Sequence, residues 1–412
     1  MDKERVILHC DCNSFFASVE TALNPAFKNV PFAVCGNEEN RHGIVLAKND
    51  IAKKYGITTA ETVYSARKKC PELVIGPPHY SEYIRYSQAV SAIYNDYTDH
   101  VEPFGIDESW LDVTGSRRIF GSGENIAHLI KERVKNELNI TVSIGVSFNK
   151  VFAKLGSDYK KPDAVTVISR ENFKDIVFPL PASDLLFVGK RTAECLLTLG
   201  VKTIGQLAAY DKDLLIRRFG KLGNMLHVYA NGLDDSPVSK GANEDTKSIS
   251  NGLTFKHDLT TREECRIGID FLSEEIGKRL REKSLLSSCV CVSIKDDLLK
   301  SVQRQTTINP PTDIGCEISQ IAKNLFFGEW KAGMLTRTIT VSATGLIKKI
   351  DLAEQINLFE NTDESNESRT KRRKKEETVD KIRQKYGDEA IFRGSLINND
   401  IGISSGKVNK HT

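Results

Sequence analysis

The sequence predicts an α+β chain divided into several domains. Three observations carry that expectation. The chain has 412 residues, more than one small core organises. Its first half alternates short apolar runs with stretches of helical periodicity. Its second half repeats the order strand, helix, strand, strand, helix, strand. In the first half, residues 5–12, 31–35, 43–47, 101–104, 110–113 and 141–147 read as strands. Residues 80–97 and 124–138 place apolar side chains at three- and four-residue spacing and read as helices. Between them, residues 49–71 are rich in Lys and Ala and predict a compact helical lobe.

A second unit is expected over 181–232. Val188-Gly189-Lys190-Arg191 opens a helix, and Leu199-Gly200-Val201-Lys202 closes it before the next one starts. Two short helices joined through glycine can present free backbone N–H groups to an anion. They can equally be an ordinary αα-hairpin. Residues 234–244 form a polar connector. The following elements, at 247–255, 262–285, 288–295, 301–307, 313–327 and 337–345, have the β-α-β-β-α-β order of the ferredoxin-like motif. That order gives no activity by itself. Residues 361–378 are charged, nearly free of large apolar side chains, and include Arg372-Arg373-Lys374-Lys375; they predict disorder, with a short helix near 379–386. By composition the basic run reads as a solvated tail more readily than as a DNA contact.

Composition excludes some classes and leaves others open. No apolar run reaches the roughly 18 residues of a membrane span. The opening Met1-Asp2-Lys3-Glu4-Arg5 lacks a secretory layout, which points to the cytosol. None of the nine cysteines forms Cys-x-x-Cys, and Cys10/Cys12 and Cys289/Cys291 are spaced as on one strand face. Small buried hydrophobes are expected rather than zinc ligands or disulfides. A net charge of +3 decides nothing about nucleic acid, which only local clustering can address.

Three acids stand out. Asp11 ends the apolar strand Val6-Ile7-Leu8-His9-Cys10, while Asp107 and Glu108 lie between two further strands in Phe104-Gly105-Ile106-Asp107-Glu108-Ser109-Trp110. Neighbouring residues of a regular strand point to opposite faces, so a hairpin turn is needed for the last two to converge. If the two strands are neighbours, Asp11 meets them at one sheet edge. Three carboxylates there repel one another unless cations join them, and hard oxygen ligands suit magnesium.

His9-Cys10-Asp11-Cys12-Asn13-Ser14-Phe15-Phe16-Ala17-Ser18-Val19-Glu20 resembles the opening motif of the Y-family, or translesion, DNA polymerases. Gly105-Ile106-Asp107-Glu108-Ser109-Trp110-Leu111-Asp112 resembles their second acidic motif. Ser147-Phe148-Asn149-Lys150-Val151-Phe152-Ala153-Lys154-Leu155-Gly156-Ser157-Asp158, with Lys160-Lys161-Pro162, resembles a third. The resemblance covers about residues 5–350. It implies a right-hand polymerase: palm at 1–48 and 72–170, small fingers at 49–71, a helix-hairpin-helix thumb at 171–235, a linker at 236–245 and a ferredoxin-like little finger at 246–350. Residues 351–412 would be a clamp-binding peptide and a mostly disordered basic tail.

The same resemblance implies the roles. Asp11, Asp107, Glu108 and the Cys12 carbonyl would hold two Mg2+ ions. Phe16 would be the steric gate against a ribose 2′-hydroxyl. Lys53 and Lys161 would meet the triphosphate, Leu46 the templating base, and Gly189 and Lys190 the DNA backbone. Gln355, Leu358 and Phe359 are similar to a peptide that binds the sliding clamp. Partners would be primer–template DNA, deoxynucleoside triphosphates and that clamp, met by a cytoplasmic monomer with no membrane contact. Three departures from the pattern, at four positions, stand out. Asn13 replaces an aspartate common in the family, and there the chain is similar to the polymerase V catalytic subunit. Asp50 and Lys53 replace tyrosine and arginine common in polymerase IV members, so Lys48 is expected to share the phosphate contact. Leu46 is bulkier than the residue often found over the templating base. The competing readings are a non-catalytic DNA- and clamp-binding protein and a nucleotidyl cyclase.

Overall fold

The structure is a computed structural model that describes residues 5–37, 43–239, 246–351, 363–396 and 399–403. They form two compact units that divide near residue 242.

The first unit begins with β1 (Ile7–Cys12), buried along its whole length, and α1 (Phe15–Leu23). Next come β2 (Phe32–Cys35), β3 (Val45–Lys48), α2 (Asp50–Lys54), α3 (Val63–Lys69) and β4 (Val74–Gly76). The chain then runs through α4 (Tyr80–Asn95), β5 (Val101–Pro103), β6 (Glu108–Asp112), α5 (Arg117–Phe120), α6 (Gly123–Leu138), β7 (Val142–Ser147), α7 (Lys150–Tyr159) and β8 (Val165–Ile168).

A five-stranded sheet has the order β5-β6-β1-β7-β8. Alternation along its strands sorts side chains onto two faces. Leu8, Cys10 and Cys12 of β1, Leu111 of β6, and Val142, Ile144 and Val146 of β7 turn to one core, where they meet Val90 and Ile93 of α4 and Ile126, Ile130 and Val134 of α6. Their neighbours Ile7, His9 and Asp11 occupy the opposite face, as do Ser143, Gly145 and Ser147 of β7, and there α7 packs. Small residues on β7 let that helix approach closely. A Cβ on Gly145 would stand 1.9 Å from the Ala153 carbonyl oxygen and 2.5 Å from the Ser157 nitrogen. Asn149 starts α7 by accepting from the Phe152 N–H at 2.8 Å.

The lobe expected as helical over 49–71 has a sheet of its own. Strands β3-β2-β4 form a separate three-stranded sheet rather than extending the five-stranded one. With α2 and α3 they enclose Ala33, Cys35, Val45, Ala52, Ile57, Val63, Ala66 and Cys70. Residues 49–71 carry α2 and α3 as expected, and the strands that pack with them lie on either side, between about 32 and 76. Short runs such as Phe32-Ala33-Val34-Cys35 announce a buried strand without naming its sheet.

The unit continues through α8 (Phe173–Val177), α9 (Lys190–Thr198), α10 (Ile204–Ala209), α11 (Lys212–Phe219) and α12 (Lys221–Ala230). Gly200, with φ of 78°, turns the chain between α9 and α10, and Thr203 with Gln206 forms a reciprocal cap on α10.

The second unit contains β9 (Ser248–Leu259), α13 (Arg262–Glu282), β10 (Leu285–Asp296), β11 (Ser301–Thr312), α14 (Gly315–Glu329), β12 (Thr336–Lys348) and α15 (Asp363–Tyr386). Its antiparallel sheet has the order β11-β10-β12-β9. Helices α13 and α14 bury Ile269, Leu272, Ile276, Ile318, Ala322 and Phe326 in the same core as Val290, Val292, Ile339 and Val341 of the sheet. Thr261 and Glu264 form a capping box that starts α13.

Where composition predicts disorder, the described residues of 363–386 are helical. The helix docks through charge. Arg281 reaches Glu376 and Asp380, each at 2.6 Å. Arg373 pairs with Asp313 at 2.6 Å, Arg369 with Glu317 at 3.1 Å and Arg383 with Glu274 at 2.7 Å. Beyond α15 the chain returns Leu396, Ile401 and Ile403 to the core. The Ile401 carbonyl accepts from the Lys256 N–H at the β9 edge, at 3.1 Å. Gln355, Leu358 and Phe359 lie outside the described residues.

Two outcomes check this packing. Gly145→Ala should cost at least ~2 kcal/mol in denaturant unfolding, because the backbone of α7 cannot retreat from the added methyl; wild-type stability would contradict the close approach. Arg281→Ala should destabilise the second unit by ~2–4 kcal/mol and open α15 to trypsin around Arg372–Lys375. Unchanged protection there would contradict an ionic docking.

Candidate active site

Strands β1 and β6 run antiparallel with Asp11 directly opposite Glu108. Asp107 sits one residue before β6, in the turn that follows β5. That turn is closed by Phe104 N–H donating to the Glu108 carbonyl at 2.9 Å, and Cys12 N–H reaches across to the Asp107 carbonyl at 3.0 Å. The turn thus overcomes the strand alternation that would separate the two acids.

Like charges opposed across a strand pair are destabilising, and two lysines from α7 and the loop after it, together with His9 of β1, meet them. Lys161 Nζ lies 2.7 Å from Asp11 Oδ2 and 2.7 Å from Asp158 Oδ1. Lys154 pairs with Glu108. His9 Nε2 is 3.2 Å from Glu108 Oε2, while its Nδ1 is 2.8 Å from the Ser157 hydroxyl. Contact with His9, then with Lys154, draws the Glu108 carboxyl down to about 2. Burial, then the neighbouring Asp11 and Glu108, pushes Asp107 up to about 6. Burial also raises Asp11, against the pull of Lys161. Burial alone would depress Lys161, yet Asp11 and Asp158 leave it above its ordinary value.

This donor set suits a hard divalent cation. It offers carboxylate oxygens, and burial followed by the charges of Asp11 and Glu108 makes Asp107 hold its proton more tightly, a penalty that a divalent cation would relieve. The oxygens are not drawn to single-ion spacing, because lysines hold two of the three carboxylates. Among the described residues, His257, Glu264 and Asp400 do have ligand atoms within 4.8 Å of one another. Glu264 there is already committed to the N–H groups of Thr260 and Thr261 at 2.9 and 2.8 Å.

Asn13, one of the three departures, has a structural role. Its Nδ2 donates to Ser143 Oγ at 2.8 Å; its Oδ1 accepts from Thr141 Oγ1 at 3.0 Å and from the Asp163 N–H at 2.9 Å. The side chain ties β1 to β7 and to the loop that carries Lys161. An aspartate could not donate in the first of these bonds. Lys154 and His9 were parts of the quoted motifs to which sequence reasoning gave no role. Their signal is the helical spacing of Lys150, Lys154 and Ser157 on α7, which meet Glu102, Glu108 and His9 respectively.

The remaining expected residues are spread over the first unit. Phe16, on α1, is half-buried, with its ring nearly parallel to Tyr83 at 4.2 Å and edge-on to Tyr80 at 5.9 Å. Tyr83 in turn donates to the buried Glu20 at 2.5 Å, and His79 lies 2.8 Å from the same carboxylate. Leu46 packs beside Ala17, Phe32 and Val34. Lys53 is exposed on α2, with no contact to the acids among the described residues. Lys48 donates to Thr59 at 3.0 Å, and burial followed by the charge of Lys53 lowers its proton affinity. Asp50 is exposed in the first turn of α2. Gly189 is the extended N-cap of α9 with no side-chain cap, and Lys190 beside it is exposed.

Residues 10–158 match the family described as impB/mucB/samB, and residues 246–358 match that family's C-terminal domain. The chain is 47% identical over 398 residues to a DNA polymerase IV of Acetivibrio thermocellus, covering 96% of this chain and 98% of the relative. It is 38% identical over 400 residues to a DNA polymerase IV of Clostridium acetobutylicum, covering 95% and 98%. A solved Y-family DNA polymerase chimera superimposes with a TM-score of 0.73 at 23% identity, over 83% of this chain and 99% of that one, which shows the shared fold. The chain belongs to the Y family of translesion DNA polymerases.

Proposed function

We propose that this chain extends a primer 3′-hydroxyl by template-directed addition of deoxynucleotides, opposite damaged as well as intact bases, using two Mg2+ ions. The observation that carries the reading is the opposition of Asp11 to Glu108, with Asp107 beside them, on the sheet face that also receives Lys154 and Lys161. Asp11, Asp107, Glu108 and the Cys12 carbonyl would hold the metals. Divalent cations bound there supply Lewis acidity to the attacking hydroxyl and charge neutralisation to the phosphates.

The residues of the chain do the rest. Lys161 exchanges Asp11 for the triphosphate and offsets the charge that grows on the leaving pyrophosphate. Asn13 holds the loop that presents it. Phe16, braced by Tyr83, fills the space a 2′-hydroxyl needs. Lys53 and Lys48 contribute point charges without the fork of arginine, and Asp50 opposes them. Leu46 narrows the space above the templating base. Fingers built from three short strands and two short helices close sparsely around the base pair, so fidelity is low. Gly189 and Lys190 bind duplex phosphates.

Gln355, Leu358 and Phe359 tether the enzyme to a sliding clamp, raising its effective concentration at primer ends. The enzyme works as a cytoplasmic monomer, and none of its nine cysteines is in a disulfide, which suits a reducing compartment. A non-catalytic DNA- and clamp-binding protein would have no need of opposed acids inside the sheet edge. A nucleotidyl cyclase would have no use for the thumb.

Asp107→Ala should lower primer extension by at least about 1,000-fold while DNA affinity stays within about threefold; normal extension would refute the metal assignment. Phe16→Ala should raise ribonucleotide insertion relative to deoxynucleotide by at least about tenfold, and an unchanged ratio would remove the gate. With divalent ions chelated, ionising Asp107 costs the fold stability as pH rises from its unfolded value through about 6. Asp107→Asn should then stabilise the chelated protein by ~1–3 kcal/mol at pH 8 and by almost nothing at pH 4. Equal effects at both pH values would show that burial does not perturb this carboxyl.

A further inference from the structure

Helix α15 has two charged faces of different chemistry. Its inward residues, Arg369, Arg373, Glu376, Asp380 and Arg383, recur every three or four positions and all pair with the second unit. At 3.6 residues per turn, Lys371, Lys374, Lys375, Lys381 and Lys385 fall on the opposite side, and all five are exposed. None of the five forms an ion pair with a carboxylate among the described residues. Glu367 shares that side at its N-terminal end, and Thr378 and Ile382 lie among the lysines. The division is by residue type as well as by direction. Three of the four arginines, Arg369, Arg373 and Arg383, bring planar forks to fixed carboxylates, while Arg372 and the lysines, which act as compact point charges, are exposed.

We propose that the lysine face of α15 is a second DNA-binding surface, which takes the phosphate backbone of duplex DNA without reading its sequence. The proposal rests on the polymerase reading for the identity of the polyanion. Lys371 to Lys385 spans roughly 21 Å at 1.5 Å per residue. Duplex DNA carries a charge about every 1.7 Å of its axis, so several phosphates lie within reach of that length. One exposed aromatic ring, Tyr386 at the C-terminal end of the helix, lies beside the lysines with Lys385 Nζ 5.0 Å from its centroid; a single ring cannot stack a run of unpaired bases, which favours duplex over single strands. The outer face also has too few apolar side chains to lie in a lipid interface, which needs a broad apolar side. Docking by ion pairs supports the function directly. Glu376 and Asp380 are consumed in the seam by Arg281, so neither neutralises the outer face.

The test uses the full chain and a duplex capped by hairpin loops at both ends, which offers no primer terminus. Lys371, Lys374, Lys375, Lys381 and Lys385 are replaced together by glutamine, with fluorescence anisotropy read across a salt series. Affinity should fall about tenfold or more, and the slope of log affinity against log salt should become shallower by about two to four. Replacing the same five by arginine should restore both. A second variant, Thr378→Glu, places an acid in the middle of the face while keeping every lysine, and should weaken duplex binding in the same direction. Unchanged melting temperature and trypsin resistance of α15 will show that the helix remains docked. Unchanged affinity and slope in both variants would overturn the proposal and leave an acidic protein as what the face meets. Primer extension by the wild-type chain, run on the same preparation, separates that outcome from a failure of the polymerase reading.

Discussion

Two carboxylates facing each other across paired strands, with a third in the adjoining turn, cannot all be ionised in a partly buried site unless positive charge is close by. That constraint organises the first unit. Burial and mutual repulsion push Asp107 up, whereas contact with His9 and Lys154 pulls Glu108 down, so neighbouring acids on one turn acquire opposite tendencies. The fold answers the constraint with α7 and the loop beyond it, which bring Lys154 and Lys161 to the acid face of the sheet. In the protein alone these ammonium groups neutralise carboxylates whose proposed ligands are metal ions. Binding of metal and nucleotide is then an exchange of cations rather than the burial of new charge.

The exchange requires a close and rigid contact between helix and sheet. Gly145 leaves room for the backbone of α7 to lie against β7, and Asn149 fixes where the helix begins. Ser157 reaches His9, so the histidine is oriented from the helix while it faces Glu108 from the strand. Asn13 performs the matching task at the other end by holding Asp163, two residues beyond Lys161. The links of His9 to Ser157 and of Asn13 to Asp163 join residues 148 and 150 positions apart in sequence. The site depends on tertiary packing as much as on its acids.

Those acids were legible in the sequence because each stands at the end of an apolar strand, where a charged residue breaks the pattern and invites an explanation. The β-α-β-β-α-β order was legible for the same reason, since alternating and helical periodicities change cleanly from one element to the next. Two features were not legible. Phe32-Ala33-Val34-Cys35 is apolar throughout, so it carries no sign of whether it pairs with β1 or forms another sheet; its partners at Val45–Lys48 and Val74–Gly76 decide that. Residues of α15 have the composition of a disordered tail, because what orders them is an ionic seam whose other half, Arg281, Asp313, Glu317 and Glu274, lies far away in the chain. The recurrence of Arg369, Arg373, Glu376, Asp380 and Arg383 at steps of four and three was a visible sign of a helix face. Hydrophobic periodicity does not register it.

The measurement that bears most directly on the cation exchange is a crystal structure with primer–template, an incoming nucleotide analogue that cannot react, and Mn2+ as an anomalous scatterer in place of magnesium. The account predicts anomalous peaks among Asp11, Asp107 and Glu108, with Lys161 withdrawn from Asp11 and placed against the triphosphate. Peaks elsewhere, for example at His257, Glu264 and Asp400, or Lys161 still paired with Asp11 beside a bound nucleotide, would contradict it.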